Sequence, residues 1–134
     1  LVIESVADFQ KLGFLKRMKK TGMRNQVCNI GLWKYTRHPN YFAEWMVWNG
    51  LIIMAIPSWL ALRDVRVELF NGQVDQIFWL LVGVGLIYVS RMMYITLVYA
   101  TGAIPSEYYS VQKRPGYKEY QKQTNLFFPG VKKK

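Results

Sequence analysis

Two apolar runs, residues 41–62 and 77–100, constrain this chain more than any other feature of it. A helix needs roughly 20 apolar residues to cross the hydrocarbon core of a bilayer, and each run meets that length. Lipid offers no water to backbone N–H and C=O groups, so such runs are helical. The first carries Phe42, Trp45, Leu51, Ile53 and Trp59, with Pro57 predicted to kink its far end. The second carries Gly83 and Gly85, which permit close helix contact. Between them lies a short charged connection with Arg63, Asp64, Arg66, Glu68 and Asp75.

The distribution of charge fixes the rest of the architecture. The chain has 134 residues and a net charge of +10, concentrated in residues 1–40 and 107–134. A basic protein suggests a nucleic-acid partner, but here apolar spans separate the basic clusters. The excess of Lys and Arg beside membrane-spanning segments explains them instead, so both flanks are expected on the cytoplasmic or matrix side and no nucleic acid is expected. The membrane would be endoplasmic reticulum or mitochondrial inner membrane. One cysteine, Cys28, excludes an internal disulfide, and with one histidine besides, no metal site is expected.

The predicted fold is all-α, an integral membrane helical bundle within a single membrane domain, residues 1–134. It comprises the end of one membrane helix (1–20), a loop (21–29), the two spans, and an interfacial amphipathic segment (106–124) set off by Pro105. The chain opens inside an apolar-leaning helix, as expected of the C-terminal half of a longer fold. Glu4 and Asp8 share one face of that helix and are expected either to pair with Lys11 or other nearby Lys and Arg, or to serve a site. Trp33 and Trp59 fit an interfacial aromatic belt.

The chemistry concentrates in Gly31-Leu32-Trp33-Lys34-Tyr35-Thr36-Arg37-His38-Pro39-Asn40-Tyr41-Phe42-Ala43-Glu44. Pro39 suits the first turn of a helix, which places Arg37 and His38 at its positive end. Asn40, Glu44 and Trp48 then share one face, since residues four apart are neighbours. Arg91, Tyr88 and Tyr99 share a face of the second span, and an arginine at that depth calls for a partner or a wet cavity. No nucleophile–base pair is present in this pattern, so no catalytic residue is assigned. Cations beside an amide and a carboxylate suit a phosphorylated, polar cofactor whose reactive end reaches the apolar bundle. No strand followed by G-x-G-x-x-G exists, which excludes a Rossmann domain.

Three stretches resemble the C-terminal domain of the steroid 5α-reductase family: Glu4-x-x-Ala7-Asp8-x-Gln10, then Gly31 to Glu44, then Thr101-Gly102-x-x-Pro105-x-Glu107 running on through Arg114-Pro115-x-Tyr117-x-x-Tyr120-Gln121 to Thr124-x-x-Phe127-Phe128-Pro129. The resemblance implies a cavity binding NADPH, lined by Asp8, Asn40, Glu44, Trp48, Arg91 and Tyr99. Tyr35, Arg37 and His38 are further motif positions of the cofactor site. Hydride would pass to the carbon–carbon double bond of an enone in a lipid or steroid-like substrate. Ile95 departs from the family, in which that turn often carries a polar residue. The groups that polarise the enone in the family come from N-terminal helices that this sequence does not include. Arg-His-Pro-x-Tyr alone is shared with isoprenylcysteine carboxyl methyltransferase. Three readings therefore stand: an NADPH-dependent reductase, a non-catalytic subunit of a larger membrane complex needing no cofactor, and an S-adenosylmethionine-dependent methyltransferase relative. Membrane lipids, a lipid-like substrate and other membrane subunits are the expected partners.

Overall fold

A single run of 20 residues, Val2–Thr21, forms the first helix, α1, and Gly22 ends it in the left-handed conformation. That terminus is the one glycine adopts without penalty, and Lys19 and Lys20 in the last turn favour the negative end of the helix dipole. The computed structural model describes residues 1–23, 25–64 and 72–133. Arg66 and Glu68 of the predicted connection lie outside the described residues.

A short 3₁₀ helix, Gly31–Lys34, leads into α2, Pro39–Asp64, and α3 covers Gly72–Ile95. Both α2 and α3 are long and apolar enough to cross a membrane. The second span ends in a π-helical turn, Thr96–Ala100, closed by Thr101 N–H donating to Thr96 C=O at 3.1 Å. Gly102 follows because a Cβ there would lie 1.7 Å from the Leu97 carbonyl oxygen. No strand is present among the described residues, and the expected all-helical class is what the structure has.

The predicted segment 106–124 is two helices, α4 (Ala103–Lys113) and α5 (Tyr117–Gln123). Pro105 does not break the chain; it sits in the first turn of α4, where its missing N–H goes unneeded. Pro115 makes the break. The residue before a proline is driven out of the helical region, and Arg114 is extended at φ −130°, ψ 105°.

The chain divides into two compact units, residues 1–44 with 95–134, and residues 45–94. The second unit is an antiparallel hairpin of α2 and α3. Ser90 Oγ donates to Asn49 Oδ1 at 2.7 Å, and Trp45 Nε1 donates to Ser90 C=O at 3.1 Å. Further along, Trp59 and Trp79 stack at 4.4 Å, each indole donating to the other's carbonyl at 2.9 Å. Gly83 lies under Trp59, where a Cβ would fall 2.4 Å from the ring, as its predicted role in close contact requires; Gly85 meets nothing within 4 Å. Trp59 is thus held by a partner helix. The hairpin leaves Ile53, Met54, Leu81 and Ile87 exposed. Each such side chain is worth about 1.5–3 kcal/mol when removed from water, which suits a lipid surround.

The first unit holds the buried core. Trp33, which the aromatic-belt pattern would place at the interface, is 4% exposed. Its indole donates to Ala7 C=O at 3.0 Å, and Lys11 Nζ lies 4.7 Å from its ring centroid. Gln10 Oε1 accepts from Leu32 N–H at 2.9 Å. Gly31 is required beside it, because its φ is +53° and a Cβ would fall 2.4 Å from the Gln10 amide. The C-terminal tail closes this core. Thr36 Oγ1 donates to Phe127 C=O at 2.8 Å, Arg37 N–H to Asn125 C=O at 2.9 Å, and Gly130 N–H to Tyr35 C=O at 3.0 Å.

Candidate functional site

The tail pairing and the start of α2 together fix Thr36, Arg37 and His38 in the first unit. His38 immediately precedes α2, its backbone C=O accepting from Phe42 N–H at 3.1 Å, and its ring stacks on Tyr41 at 5.3 Å. From α4, Glu107 brings a carboxylate to the same place. His38 Nε2 lies 3.0 Å from Glu107 Oε1, and Arg37 Nε lies 3.1 Å from the same oxygen. The Arg37 contact lacks hydrogen-bond alignment, so it acts through charge. Gln121 from α5 donates to the other oxygen, Oε2, at 2.7 Å.

These three side chains, Arg37, His38 and Glu107, are 11%, 7% and 8% exposed, so their charges are strongly coupled. Burial would raise the Glu107 carboxyl, but hydrogen bonds from His38 and Gln121 and the Arg37 charge outweigh it and hold the group below the usual carboxylate range. Burial lowers His38, against the opposing pull of Glu107. A neutral imidazole facing an ionised carboxylate carries its proton on Nε2 and donates it. Burial likewise pushes the Tyr117 and Tyr120 phenols well above their ordinary value, so both remain protonated donors.

Beside this cluster is a cavity of about 60 Å³ walled by Lys11, Arg37, His38 and Arg114. Ser106, Ser110, Tyr117, Tyr120 and Cys28 also line it, together with the apolar side chains of Val27 and Trp33. The space suits a group the size of a phosphate or a few waters. Cationic side chains around one small space favour an anion, whereas the Ser106, Ser110 and Tyr120 hydroxyls already donate to the Ala103, Ser106 and Trp33 carbonyls.

Of the residues expected from sequence, Arg37 and His38 are brought together, and Glu107 joins them. Asn40, in the first turn of α2, has its Oδ1 buried without a hydrogen-bond partner. Glu44 is part-buried one turn on, within electrostatic range of Glu4. Asp8, Tyr35 and Tyr99 belong to the same unit but are exposed. Trp48 and Arg91 belong to the hairpin unit, where both are exposed. Among the described residues no ion pair involves Arg91, Glu4 or Asp8, and Lys11 meets the Trp33 ring in place of a carboxylate partner. Glu107 was absent from the expected site. Its signal was there to read, since it is the one acidic residue between Asp75 and Glu119 and it follows Pro105 in the recurring motif.

The family model for proteins of unknown function designated DUF1295 matches residues 1–87, about two-thirds of the chain. The chain belongs to the DUF1295 family. That family is steroid 5α-reductase-like, in keeping with the motifs of the first two stretches. No curated protein and no solved structure matches the chain. The DUF1295 match includes Gln10, Gly31, Arg37, His38 and Asn40 and ends within α3, so Glu107 and Arg114 lie beyond it.

Proposed function

We propose that this DUF1295 member is an NADPH-dependent membrane reductase acting on the carbon–carbon double bond of a lipid or steroid-like enone. The observation that carries the reading is the cavity walled by Lys11, Arg37, His38 and Arg114; two residues on from His38, the Asn40 Oδ1 is buried without a hydrogen-bond partner. Cations hold phosphate oxygens through charge-assisted hydrogen bonds, and the unpaired amide oxygen accepts from a carboxamide N–H. An unsatisfied buried acceptor costs about 1–3 kcal/mol, which a bound donor would return. The donor set therefore fits NADPH, whose bound nicotinamide supplies the hydride.

The chain's own residues bind and orient. Arg37 and Arg114 would hold phosphate, Asn40 and Glu44 the carboxamide end, and Glu107 fixes Arg37 and His38 from behind. Asp8, Tyr35, Trp48, Arg91 and Tyr99 are proposed further contacts of the cofactor. Both flanks are proposed to lie on the cytoplasmic or matrix side, in endoplasmic reticulum or mitochondrial inner membrane, with the substrate entering from lipid; the excess of Lys and Arg in the flanks supports this orientation.

The test is titration of the full-length protein in nanodiscs with NADPH. Binding is expected, with Asn40→Ala or Glu44→Ala weakening it at least about tenfold, or ~1.4 kcal/mol. Affinity for S-adenosylmethionine with none for NADPH would replace this reading with a methyltransferase; affinity for neither would leave a structural subunit.

A further inference from the structure

The tail that closes the first unit's core also builds a surface on its outer side. Gly130 N–H donates to Tyr35 C=O and Lys133 N–H to Gln123 C=O, both at 3.0 Å, so the tail backbone is fixed at two places. The second bond sets Lys132 and Lys133 beside the last turn of α5. That helix carries Lys118 and Lys122 four residues apart on its exposed side, while Tyr117 and Tyr120 are buried on the other. Glu119 is the one acidic residue in 108–134, and Lys122 Nζ lies 3.6 Å from its carboxylate. Among these lysines stand two apolar side chains. Val131 is 87% exposed, and Phe128 is half exposed with its ring edge-on to Phe42 at 6.0 Å. None of these six residues lines the cation-walled cavity.

Four lysines around exposed apolar carbon fit a partner that is anionic at its surface and apolar just beneath it. A bilayer leaflet has that layering: basic side chains meet the headgroups while apolar ones enter the acyl boundary. Each lysine held near an anionic leaflet favours contact by roughly fivefold. Nucleic acid would satisfy the lysines but leaves the aliphatic Val131 in water. The chain also passes from this unit into one apolar span after Glu44 and returns from the other at Ile95, which ties the unit to a bilayer surface. We propose that the docked tail and α5 form a binding surface for net-anionic phospholipid, with Lys118, Lys122, Lys132 and Lys133 on the headgroups and Phe128 and Val131 in the acyl boundary. Because the tail is already ordered by its backbone bonds, little conformational entropy is lost on contact. The proposal is independent of the cofactor reading.

The test places an environment-sensitive fluorophore on Val131→Cys in the full chain. Cys28 is 6% exposed and shielded from the reagent, and the unmodified chain is the labelling control. The protein is reconstituted into vesicles of phosphatidylcholine alone and of equimolar phosphatidylcholine and phosphatidylglycerol. In the anionic vesicles the emission is expected to shift to the blue and quenching by acrylamide to fall at least about twofold. High salt should reverse both changes, since it screens exposed charges. Combining Lys118→Gln, Lys122→Gln, Lys132→Gln and Lys133→Gln should abolish them; all four side chains are exposed, so an unchanged thermal midpoint in detergent is expected as well. Equal emission and quenching in the two vesicle types overturns the proposal, as does a lipid response that the fourfold variant retains. Protection of the label in neutral vesicles by a single-stranded oligonucleotide, with none from phosphatidylglycerol, would assign the surface to nucleic acid instead and overturn it too.

Discussion

Glu107 is the residue on which the first unit's polar core turns, and its removal separates two effects. Glu107→Gln keeps the shape but removes the charge that Arg37 and His38 face, and a hydrogen bond to a charged group is worth about 1.5–3 kcal/mol. A loss of about 2 kcal/mol in unfolding free energy is expected, read from the thermal midpoint in detergent. The pH dependence follows from the direction of both shifts. Burial holds His38 below its ordinary value of 6.5, so the stability it contributes is present above that pH and lost as the pH falls toward the folded value. Glu107 is held below 4.5, so its contribution is present above that pH and lost below it. The midpoint should therefore fall from about pH 6.5 downward, and Glu107→Gln should flatten the lower part of the curve. Part of this core was legible in the sequence. The motif stretches pointed to Arg37 and His38, but a resemblance assigned to a cofactor also contains packing residues. Gln10 and Gly31 are such a pair, a side-chain amide capping a turn that only glycine can make. Gly31→Ala meets both a positive φ and the Gln10 side chain, so it should cost more than about 1 kcal/mol; Gln10→Ala combined with it should recover only the steric part.

At the scale of elements, the two apolar spans were readable to within a few residues because length and hydropathy alone define them. The break between α4 and α5 was not, although Pro115 signalled it, because an amphipathic run of Lys and Tyr continues on both sides of the proline. Trp33 and Trp59 show the same difficulty in another form. Composition places tryptophans at an interface, whereas their indole N–H groups here reach the Ala7 and Trp79 carbonyls. The hairpin unit supports a contrast between its two glycines. Gly83→Leu drives a side chain into the Trp59 ring, which is pinned by the reciprocal indole–carbonyl bonds. Overpacking of this kind costs typically about 1–3 kcal/mol. Gly85→Ala meets nothing and gains helix propensity of up to about 1 kcal/mol. Thermal unfolding of the two variants, followed by tryptophan fluorescence, should shift in opposite directions; equal destabilisation would mean that Gly83 is not packed against Trp59.

For the whole molecule, the decisive property is the sign and placement of charge. Basic residues bracket the two spans: Lys16, Arg17, Lys19 and Lys20 before them, and Lys113, Lys118, Lys122, Lys132 and Lys133 after them. Two crossings would return the chain to the side it left, so both brackets are expected on one face of the membrane and Arg63 on the other. Lysines and arginines are retained on the cytoplasmic side, which selects between the two orientations that this parity allows. The single cysteine makes the test clean. With Cys28→Ser as background, one new cysteine is placed in turn at Lys19, Arg63 or Lys133, all exposed positions. An impermeant maleimide added to sealed vesicles with the cytoplasmic face outward should label Lys19→Cys and Lys133→Cys directly. Arg63→Cys should be labelled only after detergent. Opposite accessibility of Lys19→Cys and Lys133→Cys would mean that one apolar helix does not cross, whereas a reversed pattern at all three would keep both crossings and overturn the orientation alone.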